Sequence, residues 1–221
     1  MDEIIKYYDE LAFKYDTNRF NNTYGDYIDY QERLILSRLL INPNEVVLDL
    51  ACGTGRLSKY ANYGIDASPN MIEVARSKFP NKNFLVGVAD KISLEDSSVD
   101  TIICFHFFMH LNQSKFDLVL KECHRILKPN GRIIFDIPSK KRRRLISYKA
   151  NNWHAAFSLS FDDLKMNSTF KIKRTFGYLI FPIHRFPKFL RKASIGLDSI
   201  ISNSIFKEYS SYLVIEFLKK G

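Results

Sequence analysis

The sequence contains few cysteines. Its 221 residues include only three, Cys52, Cys104 and Cys123. A disulfide framework needs several cysteines in pairs, and a structural zinc site needs cysteine or histidine ligands at close spacing. The three cysteines lie too far apart along the chain for either arrangement. We therefore interpret them as reduced packing residues and predict no metal site.

The sequence also lacks long hydrophobic runs. No stretch approaches the roughly 18 apolar residues that a membrane-spanning helix requires. The first ten residues, MDEIIKYYDE, do not have the basic-then-apolar order of a secretory signal. With 46% hydrophobic and 26% charged residues, the composition is that of a folded globular protein. We expect one domain, located in the cytoplasm.

The positive charge is unevenly distributed. The net charge is +9, yet residues 1–137 hold 16 basic against 19 acidic residues, whereas residues 138–221 hold 17 against 5. The whole excess therefore lies in the C-terminal part. Nucleic acid, anionic lipid and an anionic small substrate all bind basic surfaces through the same electrostatics. The charge alone selects none of these partners.

The middle of the chain alternates between strand and helix patterns, which is typical of a parallel sheet with connecting helices. Several of the strand patterns read as apolar throughout, as in strands covered on both faces. Ser68 followed by Pro69 predicts the start of a helix that runs to about Phe79. An apolar stripe predicts another helix over 113–128. The predicted strands are 45–50, 63–66, 83–88, 100–105 and 131–137.

The two flanking regions have different patterns. Residues 2–40 are rich in tyrosine and predict helices. The basic stretch from Lys140 to Arg144 is interpreted as a solvated loop, and Ser160 with Asp163 indicates a helix start. The C-terminal part further predicts a strand at 169–181, an amphipathic helix at 188–206 and a second strand at 211–218.

The motif that carries chemistry is a glycine-rich turn directly after the first strand, Ala51-Cys52-Gly53-Thr54-Gly55-Arg56-Leu57. Glycines at 53 and 55 allow a tight turn and a close approach of the backbone to a ligand. A dinucleotide fingerprint would need a third glycine where Ser58 stands, which weakens that alternative. Asp49, on the strand itself, would repel a phosphate and attract an ammonium or sulfonium group.

An acid ends the second strand. Asp66 lies at the position from which a carboxylate accepts hydrogen bonds from two ribose hydroxyls. Adenosine with a free ribose therefore fits the pattern. The order of motifs DLACGTGR, GIDAS, VADKISLEDSSVD and ILKPNG resembles the class I S-adenosylmethionine-dependent methyltransferases, and most closely their ubiquinone/menaquinone and sugar-amine group. The resemblance extends from about Tyr7 to Pro138.

This resemblance implies a fold and a cofactor. The expected fold is a Rossmann-like three-layer α-β-α sandwich with a mostly parallel seven-stranded sheet. The expected cofactor is S-adenosyl-L-methionine. Three parts of one domain are predicted: a helical lid at 1–40, a cofactor-binding core at 41–138, and a basic acceptor-side part at 139–221, which contains a C-terminal insertion and the last two strands.

The resemblance also implies residue roles. Asp49, Gly53 and Gly55 would lie along the methionine part of the cofactor, and Asp66 would bind the ribose. The remaining predicted contacts are with the adenine and the reacting centre, from Ala89, Asp90 and Phe105. The sequence departs from the family pattern in two places. Val88 replaces a frequent aspartate before the adenine-contact alanine, and only 10 residues separate Gly55 from Asp66, which predicts a short first helix.

The catalytic candidates are His106, His110 and Tyr15, because the first two follow the fourth strand and the third belongs to the predicted lid. An amine or carboxylate acceptor needs no strong base, whereas a hydroxyl or carbon acceptor needs a positioned one. For each histidine, and for an aromatic lid residue, a packing role is the alternative.

The predicted function is methyl transfer to a small-molecule, sugar or lipid-linked acceptor. Two alternatives remain open: an RNA methyltransferase that acts on tRNA, and a partner subunit that binds S-adenosylmethionine without turnover. Residues 186–206 combine apolar and basic side chains, so this segment is either a packed helix or a peripheral membrane contact. The sequence does not indicate an oligomeric state.

Overall fold

The computed structural model describes residues 2–150 and 153–220. Seven strands form one sheet in this part of the chain, and helices precede, connect and flank them. The strands are β1 (Val47–Leu50), β2 (Tyr63–Asp66), β3 (Asn83–Val86), β4 (Val99–Cys104), β5 (Leu127–Pro138), β6 (Phe170–Tyr178) and β7 (Tyr212–Lys219). The α-helices are α1 (Asp2–Leu11), α2 (Tyr15–Phe20), α3 (Thr23–Leu39), α4 (Pro69–Lys78), α5 (Gln113–Ile126), α6 (Lys140–Leu145), α7 (Phe161–Lys165) and α8 (Lys188–Ser202).

The sheet has the order β3-β2-β1-β4-β5-β7-β6. The first five strands are parallel, and β7 runs antiparallel to both β5 and β6. The strand order reverses between β1 and β4, which is the place where open α/β sheets bind their ligands. The predicted α/β fold with a mostly parallel seven-stranded sheet is confirmed.

Helices cover both faces of this sheet. On one face, Phe116, Val119 and Leu120 of α5 share a buried cluster with side chains of β1, β4 and β5. On the other face, Leu36 and Leu39 of α3 share a second cluster with the same central strands. Because β1 and β4 are covered on both sides, their sequences are mostly apolar, with Asp49 in β1 and Asp100 and Thr101 in β4 as the exceptions.

The helix starts follow local capping chemistry. The Ser68 hydroxyl accepts a hydrogen bond from the Met71 amide at 3.0 Å, and Pro69 occupies the first helical position of α4. Ser160 and Asp163 form a capping box at the start of α7. These signals lie within a few residues of each other, so the sequence alone sufficed to predict them.

One prediction of local structure agrees with the structure and another was wrong. The helix in the connection from β1 to β2 is short, as expected, and consists of the three-residue 3-10 helix Ser58–Tyr60. A crossover of about a dozen residues is near the minimum for two parallel strands, so little length remains for a helix. The stretch from Lys140 to Arg144 belongs to the helix α6, whose first turn is capped by Ser139.

The helix α8 lies against α3 through a hydrogen bond from the Gln31 amide to the Ile195 carbonyl oxygen. It leaves Phe189, Leu197 and Ile200 exposed. The basic side chains of Lys188 and Lys192, expected beside this face, lie outside the described part. Among the helices that the structure describes, none is both long and apolar enough to cross a membrane.

A glycine in β2 leads to a first prediction about stability. A Cβ at Gly64 would lie 2.5 Å from Cδ1 of Phe84 and 2.9 Å from Sγ of Cys52. We expect Gly64→Ala to lower the free energy of unfolding by about 1–3 kcal/mol, because overpacked cores must shift their neighbours. Urea denaturation measures this loss.

The matched control is Gly196→Ala in α8, where a Cβ would meet no atom within 4 Å. Alanine stabilises a helix interior by roughly 0.5–1 kcal/mol relative to glycine. The two substitutions should therefore shift the urea midpoint in opposite directions. Equal effects would contradict the packing of β2 against Phe84.

Candidate active site

A cavity lies at the carboxyl ends of β1, β2 and β4. It encloses about 790 Å³ including its mouth. The glycine-rich turn and the end of β2 form its floor, the segment after β4 forms one wall, and α1 with α2 covers it. Its lining residues include Ile4, Ile5, Tyr8, Tyr15, Ala51, Gly53, Asp66, Met71, Ala89, Phe105, His106 and His110. Four of the seven predicted cofactor-binding residues and all three catalytic candidates are thus brought together.

The two glycines of the turn have different surroundings. Gly53 has a φ of +53°, a conformation that side chains rarely adopt. A Cβ there would meet only Sδ of Met71, at 3.9 Å, because it would point into the cavity. Gly55 has a φ of +78°, and its Cβ would lie 3.1 Å from both Phe79 and Phe84. Gly53 therefore opens the cavity, whereas Gly55 allows close packing behind the turn.

The Asp66 carboxylate is held rigidly at the cavity edge. One oxygen accepts a hydrogen bond from the Gly53 amide at 2.8 Å, and the other accepts one from the Ser68 amide at 2.9 Å. Burial raises the pKa of this carboxyl group, although these amides oppose the shift. Each oxygen has a second lone pair for a ligand hydroxyl, which suits a ribose with two adjacent hydroxyls.

Asp49 is buried in β1, and its Oδ2 has no hydrogen-bond partner among the described residues. Burial raises its pKa to about 7; the neighbouring Asp66 adds to this shift and Arg56 opposes it. An unpartnered buried carboxyl oxygen is costly unless a ligand or a cation approaches it. Asp49 lies behind the cavity lining, next to the turn that carries Gly53.

The two residues predicted to contact the adenine occupy different positions in the structure. Ala89 lines the cavity, whereas Asp90 does not and forms an ion pair with Lys115 at 2.9 Å. Phe105 lines the wall beside β4. The contact of Asp90 with an adenine amine remains a prediction.

The lid is attached to the core through two aspartates. Asp9 accepts hydrogen bonds from the Ser68 hydroxyl at 2.6 Å and the Asn70 amide at 3.0 Å. Asp16 accepts one from the Thr54 hydroxyl at 2.7 Å. We did not predict these contacts from the sequence. The available signal was the repeated Tyr-Asp pair, seven residues apart, since each pair places a tyrosine at the cavity and an acid against the core.

His106 lies between two buried carboxylates. Its Nε2 is 2.6 Å from Oε1 of Glu32 and its Nδ1 is 3.3 Å from Oδ2 of Asp136. Both are close contacts between a ring nitrogen and a buried carboxylate oxygen. The backbone of His106 has a φ of +57° and donates its amide to Asp136 at 2.6 Å. The hydrogen bond donated by this amide holds the His106 ring at the cavity wall.

The same two carboxylates have further partners. Tyr178 lies within hydrogen-bond distance of both, at 3.0 Å from Glu32 and 3.1 Å from Asp136. Arg56 donates to Glu32 at 2.6 Å. Burial alone would raise the pKa of Glu32, but Arg56 and His106 lower it to about 2, whereas burial raises the pKa of Asp136. Glu32 therefore remains ionised, and Asp136 is the carboxylate that takes a proton more easily.

One ligand atom from each of Glu32, His106 and Asp136 lies within 4.8 Å of the others, a spacing that could hold a metal ion. The oxygens are already engaged by Tyr178, Arg56 and the His106 amide. These contacts favour a cluster that positions the imidazole and accepts or donates protons over a metal site.

His110 has a different environment. Its Nδ1 accepts a hydrogen bond from the Ala155 amide at 3.2 Å, and its Nε2 lies 2.9 Å from the Tyr8 hydroxyl. Burial, with His154 and His106 nearby, lowers its pKa to about 3. His110 is therefore neutral with both ring nitrogens engaged. Tyr15 lines the cavity beside Tyr8, with ring centres 6.0 Å apart.

This sheet order, with a bare turn after β1 and a fixed acid on β2, defines a Rossmann-like nucleoside-binding domain. A family described as "Methyltransferase domain" matches residues 48–135. The chain is 29% identical to demethylmenaquinone methyltransferase of Thermotoga maritima over 67% of its own length and 69% of the relative. It is 32% identical to malonyl-[acyl-carrier protein] O-methyltransferase of a Marinomonas species, over 62% of its own length and 54% of the relative.

The fold is similar to that of magnesium protoporphyrin IX methyltransferase from Synechocystis with bound SAH. The TM-score is 0.68 at 14% identity, and 99% of both chains is covered. These similarities support the class I S-adenosylmethionine-dependent methyltransferase superfamily. It spans about half the length of most of the curated relatives that it matches.

Proposed function

We propose that the chain binds S-adenosylmethionine in the cavity and transfers its methyl group to a small-molecule acceptor. The observation that carries this proposal is the juxtaposition of a bare turn at Gly53 with the fixed carboxylate of Asp66, both inside a cavity closed by the lid. The cavity walls are otherwise largely apolar, which suits the adenine ring.

Each part of the cofactor has a matching group. Asp66 would accept the two ribose hydroxyls, and the backbone at Gly53 would approach the methionine part closely. Ala89 would contact the adenine, and Phe105 would close over the sulfonium. Asp49 would supply negative charge behind the turn, where the ammonium and sulfonium groups of the cofactor benefit from it.

The cofactor supplies an activated methyl group, and the chain aligns the acceptor with it. Orientation contributes most of the rate in such a displacement. A hydroxyl acceptor must also lose a proton. We propose His106 as the base, because it lines the cavity and two carboxylates stabilise the imidazolium that would form. His110 is less suited, since its ring partners are the Tyr8 hydroxyl and the Ala155 amide, with no carboxylate to stabilise a protonated ring, and burial lowers its pKa to about 3.

The basic helix α6 supports the small-molecule proposal over an RNA acceptor. Lys140 pairs with Asp163 at 3.0 Å and Lys141 with Glu208 at 2.5 Å. Arg143 donates to the carbonyl oxygens of Ala156 and Phe157 and lies over the Tyr148 ring. These side chains are engaged within the chain, which reduces their value for phosphate contacts.

The raised pKa of Asp49 leads to a pH prediction. The group is mostly neutral at pH 6 and mostly ionised at pH 8. If the ionised form binds the cationic cofactor, the affinity should rise about tenfold over this range, in proportion to the competent fraction. The stability of the free protein should change in the opposite direction. The neutral form of the buried carboxyl contributes to the free energy of unfolding, and this contribution is lost as the pH rises through about 7.

Calorimetric titration of S-adenosylmethionine into the wild type and into Asp49→Asn, at pH 6 and at pH 8, tests this prediction. Comparing the two proteins at each pH cancels the titration of the ligand itself. The ratio of their affinities should change about tenfold between pH 6 and 8. A constant ratio would show that Asp49 does not respond to the cofactor.

The proposed activity itself is tested with radiolabelled S-adenosylmethionine and fractionated cell extract. Label in small metabolites or lipids supports the proposal. Label in RNA that disappears after ribonuclease treatment would replace it with the RNA alternative. Cofactor binding without label in any fraction would favour a non-catalytic partner subunit.

A further inference from the structure

A second cavity adjoins the first. Tyr8, Tyr15, His106 and His110 line both of them. The second cavity encloses about 680 Å³ including its mouth and continues under the lid to Arg19. A molecule in this cavity would therefore lie next to the cofactor, at the side chains that line both cavities.

Arg19 differs from most of the buried or half-buried arginines of this chain. Arg33, Arg56 and Arg132 each pair with a carboxylate within 3 Å. Within residues 2–150 and 153–220, no described side chain forms an ion pair or hydrogen bond with the Arg19 guanidinium. The two acids nearest in sequence have other partners or positions: Asp16 pairs with Lys78, and Asp26 lies on α3.

The surroundings of Arg19 are aromatic. The groups that act most strongly on its pKa, after burial, are the hydroxyls of Tyr15, Tyr212, Tyr8 and Tyr24. Neutral phenols do not neutralise a guanidinium. A half-buried cation without a counter-charge is costly, and its donors remain available on the cavity side. An anion that entered the cavity would remove this cost.

The rest of the second cavity is shaped for a flat group. Tyr7 and Tyr8 line it, with ring centres 5.2 Å apart in an edge arrangement. The His154 ring lies 4.7 Å from that of His110 on the same side. Aromatic walls of this kind favour planar ligands through offset or edge contacts.

We infer that the second cavity is the acceptor site and that Arg19 anchors an anionic group, a carboxylate or a phosphate, on a planar acceptor. The inference rests on the proposed function and adds the chemical class of the substrate. Anchoring one end at Arg19 directs the other end toward His106, where the methyl group would arrive.

For a hydroxyl acceptor, the acceptor oxygen would form a bond to the methyl carbon while the bond from carbon to sulfur breaks, so that the sulfonium would become a neutral thioether. The hydroxyl proton passes to the ring of His106. The anionic group held by Arg19 takes no part in bond making.

The test uses two small probes, benzoate and phenyl phosphate, with benzyl alcohol as the neutral analogue. Each is titrated into the protein saturated with S-adenosylhomocysteine, and binding is followed by calorimetry. We expect at least one of the anions to bind roughly 10- to 100-fold more tightly than the alcohol, as a charge-assisted contact with arginine provides. The stronger anion identifies the carboxylate or the phosphate class.

Variants assign the effect to Arg19. Arg19→Met should lose the preference for the anion, and Arg19→Lys should retain part of it. Lys14→Met removes the same charge from an exposed lid position outside both cavities and should leave the preference unchanged. Equal binding of anion and alcohol by the wild type overturns the inference, even if Arg19→Met fails to fold. An unchanged preference in a folded Arg19→Met protein overturns it as well.

Failure of the proposed function gives a different result. In that case S-adenosylhomocysteine does not bind, or no extract fraction takes up label, while the probe titrations still decide the anion site in the protein without cofactor. Conversely, label that enters only material not retained by an anion-exchange resin would support methyl transfer and overturn the anionic acceptor.

Discussion

Replacing Asp66 with asparagine should weaken the binding of S-adenosylhomocysteine by about 100-fold. The carboxylate is positioned by the Gly53 and Ser68 amides at 2.8 and 2.9 Å. Hydrogen bonds to a charged group contribute about 1.5–3 kcal/mol each, and two ribose hydroxyls would use both oxygens. An amide keeps only one acceptor oxygen, and its NH2 group would face a backbone N–H or a hydroxyl.

Calorimetry with S-adenosylhomocysteine measures this loss, and thermal unfolding checks the fold. The control is Asp96→Asn, which removes a carboxylate that is 76% exposed and lies outside the cavity. Control and wild type should bind equally. If the Asp66 variant were folded and bound the ligand as tightly as wild type, the assignment of the ribose site would be wrong.

The second large effect is expected at His106. With the acceptor fraction that the radiolabel experiment supplies, His106→Asn should lower the turnover of a hydroxyl acceptor by about 10²–10⁴-fold, the usual contribution of a general base. Asparagine is chosen because it tolerates the positive φ of +57° at this position better than most residues. Affinity for S-adenosylhomocysteine should change little.

The pH profile separates a base from a packing residue. The pH–rate profiles of the wild type and His106→Asn should differ if the ring takes the proton, and they should coincide if the ring only packs. The control is His124→Asn, since His124 contacts Phe170 and the Lys220 carbonyl oxygen away from the cavity. Equal losses of rate and cofactor affinity, with an unchanged profile, would indicate a structural role.

The lid contacts explain how the cavity is closed without a large interface. Asp9 and Asp16 hold α1 and α2 to the N-terminus of α4 and to the glycine-rich turn. Both acids lie one residue after a tyrosine that lines the cofactor cavity. Ligand binding and lid attachment therefore use the same short segments, so cofactor affinity and lid order should change together.

Local sequence signals predicted much of the cofactor half. The strands from β1 to β5 could be predicted because buried parallel strands are continuous apolar runs. The start of α4 could be predicted from Ser68 and Pro69. The glycine-rich turn and Asp66 could be placed at the sheet edge because consecutive parallel strands end on the same side.

The C-terminal part was harder to predict. Its two strands were placed within about three residues of β6 and β7, but α6 was interpreted as a loop. A run of basic residues gives no apolar periodicity. The acids that pair with the lysines of this helix, Asp163 and Glu208, lie 23 and 67 positions further along the chain. Such pairings depend on the packed fold.

The sequence by itself determined the fold class, the bare turn and the acid of β2, because neighbouring residues carry each of these signals. Only the tertiary structure placed Glu32, His106 and Asp136 around one point, since they come from α3, the segment after β4, and β5. The same holds for Arg19, which has no carboxylate partner among the described residues although Asp16 lies three positions before it and pairs with Lys78. Charge balance inside a fold depends on the distances between side chains from distant segments, and these distances are set by packing.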